Sequence, residues 1–230
     1  TRAADDKNVA AIVLTCAGRT FIAGADITEF DKPPQSPGLS DLNAQIEAIR
    51  KPVVAAIFGT ALGGGLEITL ACHFRIAAAS ARLGLPEIKL GLIPGAGGTQ
   101  RLPRLVGMDK AMKMILSGNP IPAKEALSLG LIDEIFDSDP VAAGIAFARK
   151  VVAEKRPLQK VGEIDDRLAD LRKQPARFGE LAAAHVKKAR GLHAPAAALE
   201  ALRGAIELPL AEGLERERAK FQELRTGDQS

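Results

Sequence analysis

The apolar residues of this chain come in two rhythms. Val9–Thr15 and Val53–Phe58 are short unbroken runs rich in β-branched residues. They read as strands covered on both faces, because a strand open to water on one side would alternate apolar with polar. Between them Leu39, Leu42, Ile46 and Ile49 recur at the spacing of an amphipathic helix. Strand, helix, strand predicts a parallel α/β arrangement, since parallel neighbours need a crossover of about that length. Leu66–Cys72 then predicts the buried opening of a helix, Phe74–Ala78 a short strand, and Ile132–Phe136 the last strand. From Asp139 onward Ala, Leu, Glu, Lys and Arg dominate, and the pattern is helical almost throughout. This shift predicts an α/β core over residues 1–136 and a helical C-terminal region over 137–230.

Composition narrows the class. Over 230 residues, 47% hydrophobic and 26% charged is the balance of a globular protein with a substantial core. A net charge of +3 with bases scattered among acids gives no nucleic-acid footprint. No apolar run approaches the roughly 20 residues that span a bilayer, so no membrane partner is expected. Cys16 and Cys72 lie far apart, in apolar surroundings and without metal-ligand spacing. They read as free thiols in a reducing compartment, the cytoplasm, with the peroxisome left open as the second location. The chain opens on Thr1 and is soon in its first strand, which predicts a segment of a longer protein.

Candidate chemistry gathers at glycines. Phe21–Asp26 and Gly63-Gly-Gly-Leu-Glu67 each follow a predicted strand, and Leu85-Pro-Glu87 leads into Ile93-Pro-Gly-Ala-Gly-Gly98. Any one such cluster is more often a tight turn. Two of them on parallel strands would aim unshielded N–H groups into one crevice, the arrangement a developing oxyanion requires. Neither cluster follows a nucleotide-phosphate pattern. Glu67 and Glu87 sit among apolar neighbours. A single such carboxylate is usually solvated, whereas two flanking donor loops point toward acid/base work. His73, between Cys72 and a strand, reads as a structural histidine, and His185 and His193 lie far from every glycine turn. Arg101, Arg104, Lys110 and Lys113 read as a solvated helix face from which a phosphate could recruit one or two cations.

These motifs resemble the crotonase, or enoyl-CoA hydratase/isomerase, superfamily. The likeness is carried by Lys51–Glu67, by Gly91–Leu102, and more broadly by residues 9–136. It implies a β/α spiral core with a helical C-terminal subdomain, acyl-CoA substrates, and no cofactor or metal beyond the CoA of the substrate. By position, Ala23 and Gly64 match the backbone donors to the thioester oxygen. Ala23, Gly24, Ala25 and Asp26 match the loop that meets CoA, Glu67 and Glu87 match the catalytic pair, and Gly95 lies near the water. The stretches Ala71–Ala77 and Gly84–Glu87 are similar to the N-terminal half of multifunctional fatty-acid β-oxidation enzymes. That implies hydratase activity, with 3,2-enoyl isomerase activity beside it. It also implies a 3-hydroxyacyl-CoA dehydrogenase half in the parent protein, and a monomer rather than a trimer or hexamer. The competing expectation is a non-catalytic or RNA-binding member of the fold, with Lys187, Lys188 and Arg190 as its basic surface.

Overall fold

The computed structural model describes residues 2–24, 36–186 and 193–227. From the N-terminus come α1 (Arg2–Asp5), β1 (Ile12–Leu14), α2 (Leu39–Glu47), β2 (Val53–Ile57), β3 (Thr60–Leu62) and α3 (Gly64–Ala71). There follow β4 (Phe74–Ala78), β5 (Arg82–Gly84), a 3-10 turn at Glu87–Leu90, α4 (Gly98–Val106) and α5 (Met108–Ser117). Next are β6 (Ile121–Pro122), α6 (Ala123–Ser128), β7 (Glu134–Phe136) and α7 (Pro140–Ala153). The C-terminal stretch carries α8 (Ala169–Lys173), α9 (Ala176–Val186), α10 (His193–Glu207) and α11 (Leu210–Arg225). Packing groups these elements into two compact units. One comprises Thr1–Leu83 with Ile121–Val161, the other Gly84–Pro120 with Gly162–Ser230. The composition boundary at 136 and the packing units divide the chain differently, because each unit draws on two separated stretches of sequence.

The first unit is organised by a parallel sheet in the order β1-β2-β4-β7. Every residue of β2 is buried, as its unbroken apolar run requires of a central parallel strand. On one face Val54, Ala56, Phe74 and Ile76 pack with Phe136 and with Phe147, Ala148 and Val151 of α7. Phe74 and Phe147 meet edge to face, with ring centroids 6.1 Å apart. Gly144 lets α7 close on the sheet, since a β-carbon there would stand 2.5 Å from Val13. The buried guanidinium of Arg75 donates to the carbonyls of Leu131, Thr69 and Cys72, at 2.9, 3.3 and 2.6 Å. It thereby ties the end of α3 to the sheet.

His73 is fully buried. Its Nδ1 accepts the Val53 N–H at 3.1 Å, so the ring proton rests on Nε2 and the neutral imidazole anchors the start of β2. Burial holds its pKa below the usual value; Arg75 and Lys160 push the same way, while Glu47 opposes. An unfolded chain therefore binds more protons than the folded one below about pH 6.5, and stability must fall as pH drops through that range. The urea midpoint is expected to be lower at about pH 5.5 than at about pH 7.5. His73→Asn keeps an acceptor but does not titrate, and should shrink that difference.

The second unit is helical. α4 is buried along its whole length, Arg101 and Arg104 included. The solvated cationic face expected there is therefore corrected. Arg104 Nη1 donates to the Gln100 carbonyl at 2.5 Å, and its Nε faces the Asp165 carboxylate at 3.8 Å. Long cations tolerate burial when carbonyls and carboxylates surround them, and those partners come from distant sequence. Lys113 alone of the four is fully exposed.

Candidate active site

In the first unit, the chain from Phe21 to Gly24 runs beside β3. Phe21 and Ile22 donate to the carbonyls of Phe58 and Thr60 at 2.9 and 3.1 Å, and Leu62 donates back to Ile22 at 3.0 Å. Ile22 and Ala61 form a parallel bridge. Thr20 pins the entry, its hydroxyl accepting the Thr60 N–H at 2.7 Å. Because Ile22 spends both backbone groups on β3, the next N–H, that of Ala23, faces away from that strand. Ala23 and Gly24 are exposed, while Ala25 and Asp26 lie outside the described residues.

β3 ends in Gly63, whose φ of 55° and ψ of −128° are closed to residues with a side chain. That turn starts α3 at Gly64. The first N–H groups of a helix have no partner inside it, so the Gly64 N–H is an available donor at the positive end of the helix dipole. Gly65 sets the distance to the Ile22 segment. A β-carbon there would overlap the Ile22 carbonyl oxygen and stand 2.7 Å from Ile22 Cβ. The structure thus brings the Ala23 and Gly64 loops side by side. Glu67, three residues after Gly64 on the same helix face, is buried at 3% exposure. Gly65→Ala tests this close approach. Alanine ordinarily stabilises a helix by up to about 1 kcal/mol over glycine. Here overpacking against backbone should reverse the sign and cost about 1–3 kcal/mol, read as a lower urea midpoint.

In the second unit, Glu87 opens the 3-10 turn and is half-buried. The turn rests on the end of α5, where a β-carbon at Gly118 would stand 2.9 Å from Ile88 Cγ2. Lys89 also donates to Asn119 Oδ1 there, at 2.9 Å. The Leu92 N–H returns to the Glu87 carbonyl at 3.1 Å, and the chain then runs through buried Ile93 and Pro94 to Gly95. Phe221 of α11 covers Gly95, its ring 2.6 Å from where a β-carbon would be.

Sequence reasoning missed Glu217. This α11 carboxylate has 0% exposure. Its Oε1 accepts the Gly97 N–H at 2.5 Å, and its Oε2 accepts the Thr99 N–H at 2.7 Å and the Thr99 hydroxyl at 2.5 Å. Nothing in Glu215-Arg-Glu-Arg218 distinguishes the buried acid from its solvated neighbours. Of the histidines, His185 Nε2 lies 3.0 Å from Asp109 and His193 is exposed at the start of α10. Lys187, Lys188 and Arg190 lie outside the described residues. Among the described residues no cluster of His, Cys, Asp and Glu could hold a metal, and no helix is long and apolar enough to cross a membrane.

A glycine-opened helix beside the end of a parallel strand, with a buried carboxylate in its first turn, is an arrangement that can steady a developing anion on backbone N–H groups. The chain belongs to the enoyl-CoA hydratase/isomerase family, whose sequence profile matches residues 1–177. A peroxisomal bifunctional enzyme of Danio rerio is 44% identical over 219 residues, covering 94% of this chain and 30% of that protein. A peroxisomal fatty acid beta-oxidation multifunctional protein of Arabidopsis thaliana is 42% identical over 222 residues, covering 92% and 30%. The chain therefore spans under a third of either relative. A solved enoyl-CoA hydratase/isomerase from Pseudoalteromonas atlantica superposes with a TM-score of 0.70 at 28% identity, covering 99% of this chain and 78% of that one. The α/β fold with a helical C-terminal part, expected from the resemblance, is the fold observed.

Proposed function

We propose that this chain is an enoyl-CoA hydratase of fatty-acid β-oxidation. The observation that carries the reading is Glu67, buried in the first turn of α3 and on the same face as the Gly64 donor. Water adds its oxygen to C3 of a 2-enoyl-CoA, and the electron pair of the double bond moves through C2 onto the thioester oxygen. The N–H groups of Ala23 and Gly64 stabilise that enolate, and C2 then takes a proton, so H and OH have been added across the bond. Glu67 and Glu87 handle the two proton movements. Gly24, Ala25 and Asp26 extend the Ala23 loop toward CoA, and Gly95 meets the water. Hydration changes no net oxidation state, so the proposed chemistry calls for no redox cofactor, and the two backbone donors take the part that a Lewis-acid metal would otherwise play.

The same base at C2 suits 3,2-enoyl isomerisation, which we propose as a second activity. The product, a 3-hydroxyacyl-CoA, is the substrate of a dehydrogenase. We propose such a half in the parent protein, as the relatives named bifunctional and multifunctional suggest, and a monomeric state. The two free thiols, Cys16 and Cys72, suit the cytoplasm, while the relatives' names point to the peroxisome. The test is direct. Mixing the protein with crotonyl-CoA and with a longer 2-enoyl-CoA should remove the enoyl absorbance. No loss with either, together with salt-sensitive retention of RNA on filters, would favour the non-catalytic reading instead.

A further inference from the structure

We infer that Glu217 is a positioning residue, which holds the Gly95–Gly98 loop from α11 and thereby fixes the backbone of Gly95; this rests on the proposed role of Gly95 at the attacking water. The carboxylate is buried, and the loop and the first turn of α4 supply it with the Gly97 and Thr99 N–H groups and the Thr99 hydroxyl. The network extends behind it. Gln100 Nε2 donates to Thr99 Oγ1 and to the Ala201 carbonyl of α10, both at 2.8 Å. Through these buried polar groups α11 meets the glycine loop and α10 meets the first turn of α4.

The geometry of α11 adds a second grip. Glu217 and Phe221 are four residues apart and lie on one helix face. The first binds Gly97 and Thr99, and the second covers Gly95. Leu214, one turn earlier, stands 3.2 Å from where a β-carbon on Gly97 would be. A glycine-rich segment has more conformational freedom than any other sequence, so its precision must come from outside. Charged hydrogen bonds to the Gly97 and Thr99 N–H groups, each stronger than a neutral one, supply it. A buried carboxylate at the start of α4 also satisfies that helix's positive end.

Glu217→Gln tests this. The amide supplies one acceptor where the carboxylate supplied two, and turns its NH₂ toward a donor. Misplacing a reacting group by about 1 Å costs on the order of 10²-fold. We expect kcat for crotonyl-CoA hydration to fall roughly 10- to 100-fold with KM within about threefold, since thioester binding is untouched. Amide exchange at Gly97 and Thr99, followed by NMR without substrate, should accelerate. Leu224→Ala, a core truncation two turns further along the same helix, is the control: it should lower stability while kcat holds. If Glu217→Gln does not fold, Thr99→Val removes the hydroxyl that donates to Glu217 and accepts from Gln100, keeps both backbone N–H donors, and should lower kcat by a smaller factor, with the same exchange signature. Unchanged kcat in a folded Glu217→Gln protein, or a loss no larger than that of Leu224→Ala, overturns the inference. Should wild-type protein fail to hydrate crotonyl-CoA, the hydratase reading falls. The exchange data still decide the grip, since unaccelerated Gly97 and Thr99 amides would overturn it.

Discussion

Replacing Glu67 by glutamine is expected to lower kcat for hydration roughly 10²–10⁴-fold while KM changes little, the signature of a lost proton transfer with binding intact. The exchange is nearly isosteric, so buried packing around α3 survives and the rate can be attributed to the missing carboxylate. Glu87→Gln should produce a loss in the same range, and steady-state kinetics with crotonyl-CoA measures both. A folded variant that keeps wild-type kcat removes that glutamate from the mechanism. If Glu87→Gln abolishes hydration yet spares conversion of a 3-enoyl-CoA, the two carboxylates divide the work, with Glu67 serving the proton at C2.

The oxyanion donor offers the second large effect, and the fold supplies an unusually clean pair of substitutions. Gly64 occupies the first position of α3, where proline is well tolerated because its missing N–H has no helical partner anyway. Among the described residues a β-carbon there meets only Leu39 Cδ2, at 2.8 Å, the far end of a flexible side chain. Gly64→Ala therefore introduces the same crowding as proline but keeps the N–H. We expect Gly64→Pro to lose about 10²–10³ in kcat beyond any loss in Gly64→Ala, the usual cost of one oxyanion donor. Circular dichroism confirms folding in both. Equal rates for the two variants would eliminate the Gly64 N–H as a donor.

Legibility in the sequence followed the kind of signal each part leaves. β2 was visible because a central parallel strand must be apolar throughout, β4 because Arg75 alone interrupts its apolar run, and α2 because one face must be apolar. β3, β5 and β6 were read as turn or went unnoticed: they are two or three residues long and contain or adjoin glycine and proline, so no periodicity can develop. Burial of Glu67 could be anticipated from Leu66, Ile68 and Leu70 around it. Burial of Arg101, Arg104 and Glu217 could not. Their compensating partners lie elsewhere in the chain, and a charged residue looks the same in sequence whether water or a carbonyl solvates it. The glycine loops announced themselves as backbone donors, but what steadies the Gly95 loop is encoded some 120 residues later.

That separation has a bearing on how the protein is made. Gly97 leaves the ribosome long before Glu217 does. At roughly 5–20 residues per second, 120 residues take about 6–24 s to synthesise. Throughout that interval α4 has neither its acceptor nor the cover of α10 and α11, and its buried arginines and apolar side chains stand in water. The first unit is complete sooner, once β7 and α7 have emerged. Birth therefore proceeds in two stages, with the Gly95 loop among the last parts to settle, and a nascent chain halted before α11 is the form on which a chaperone would find most to hold.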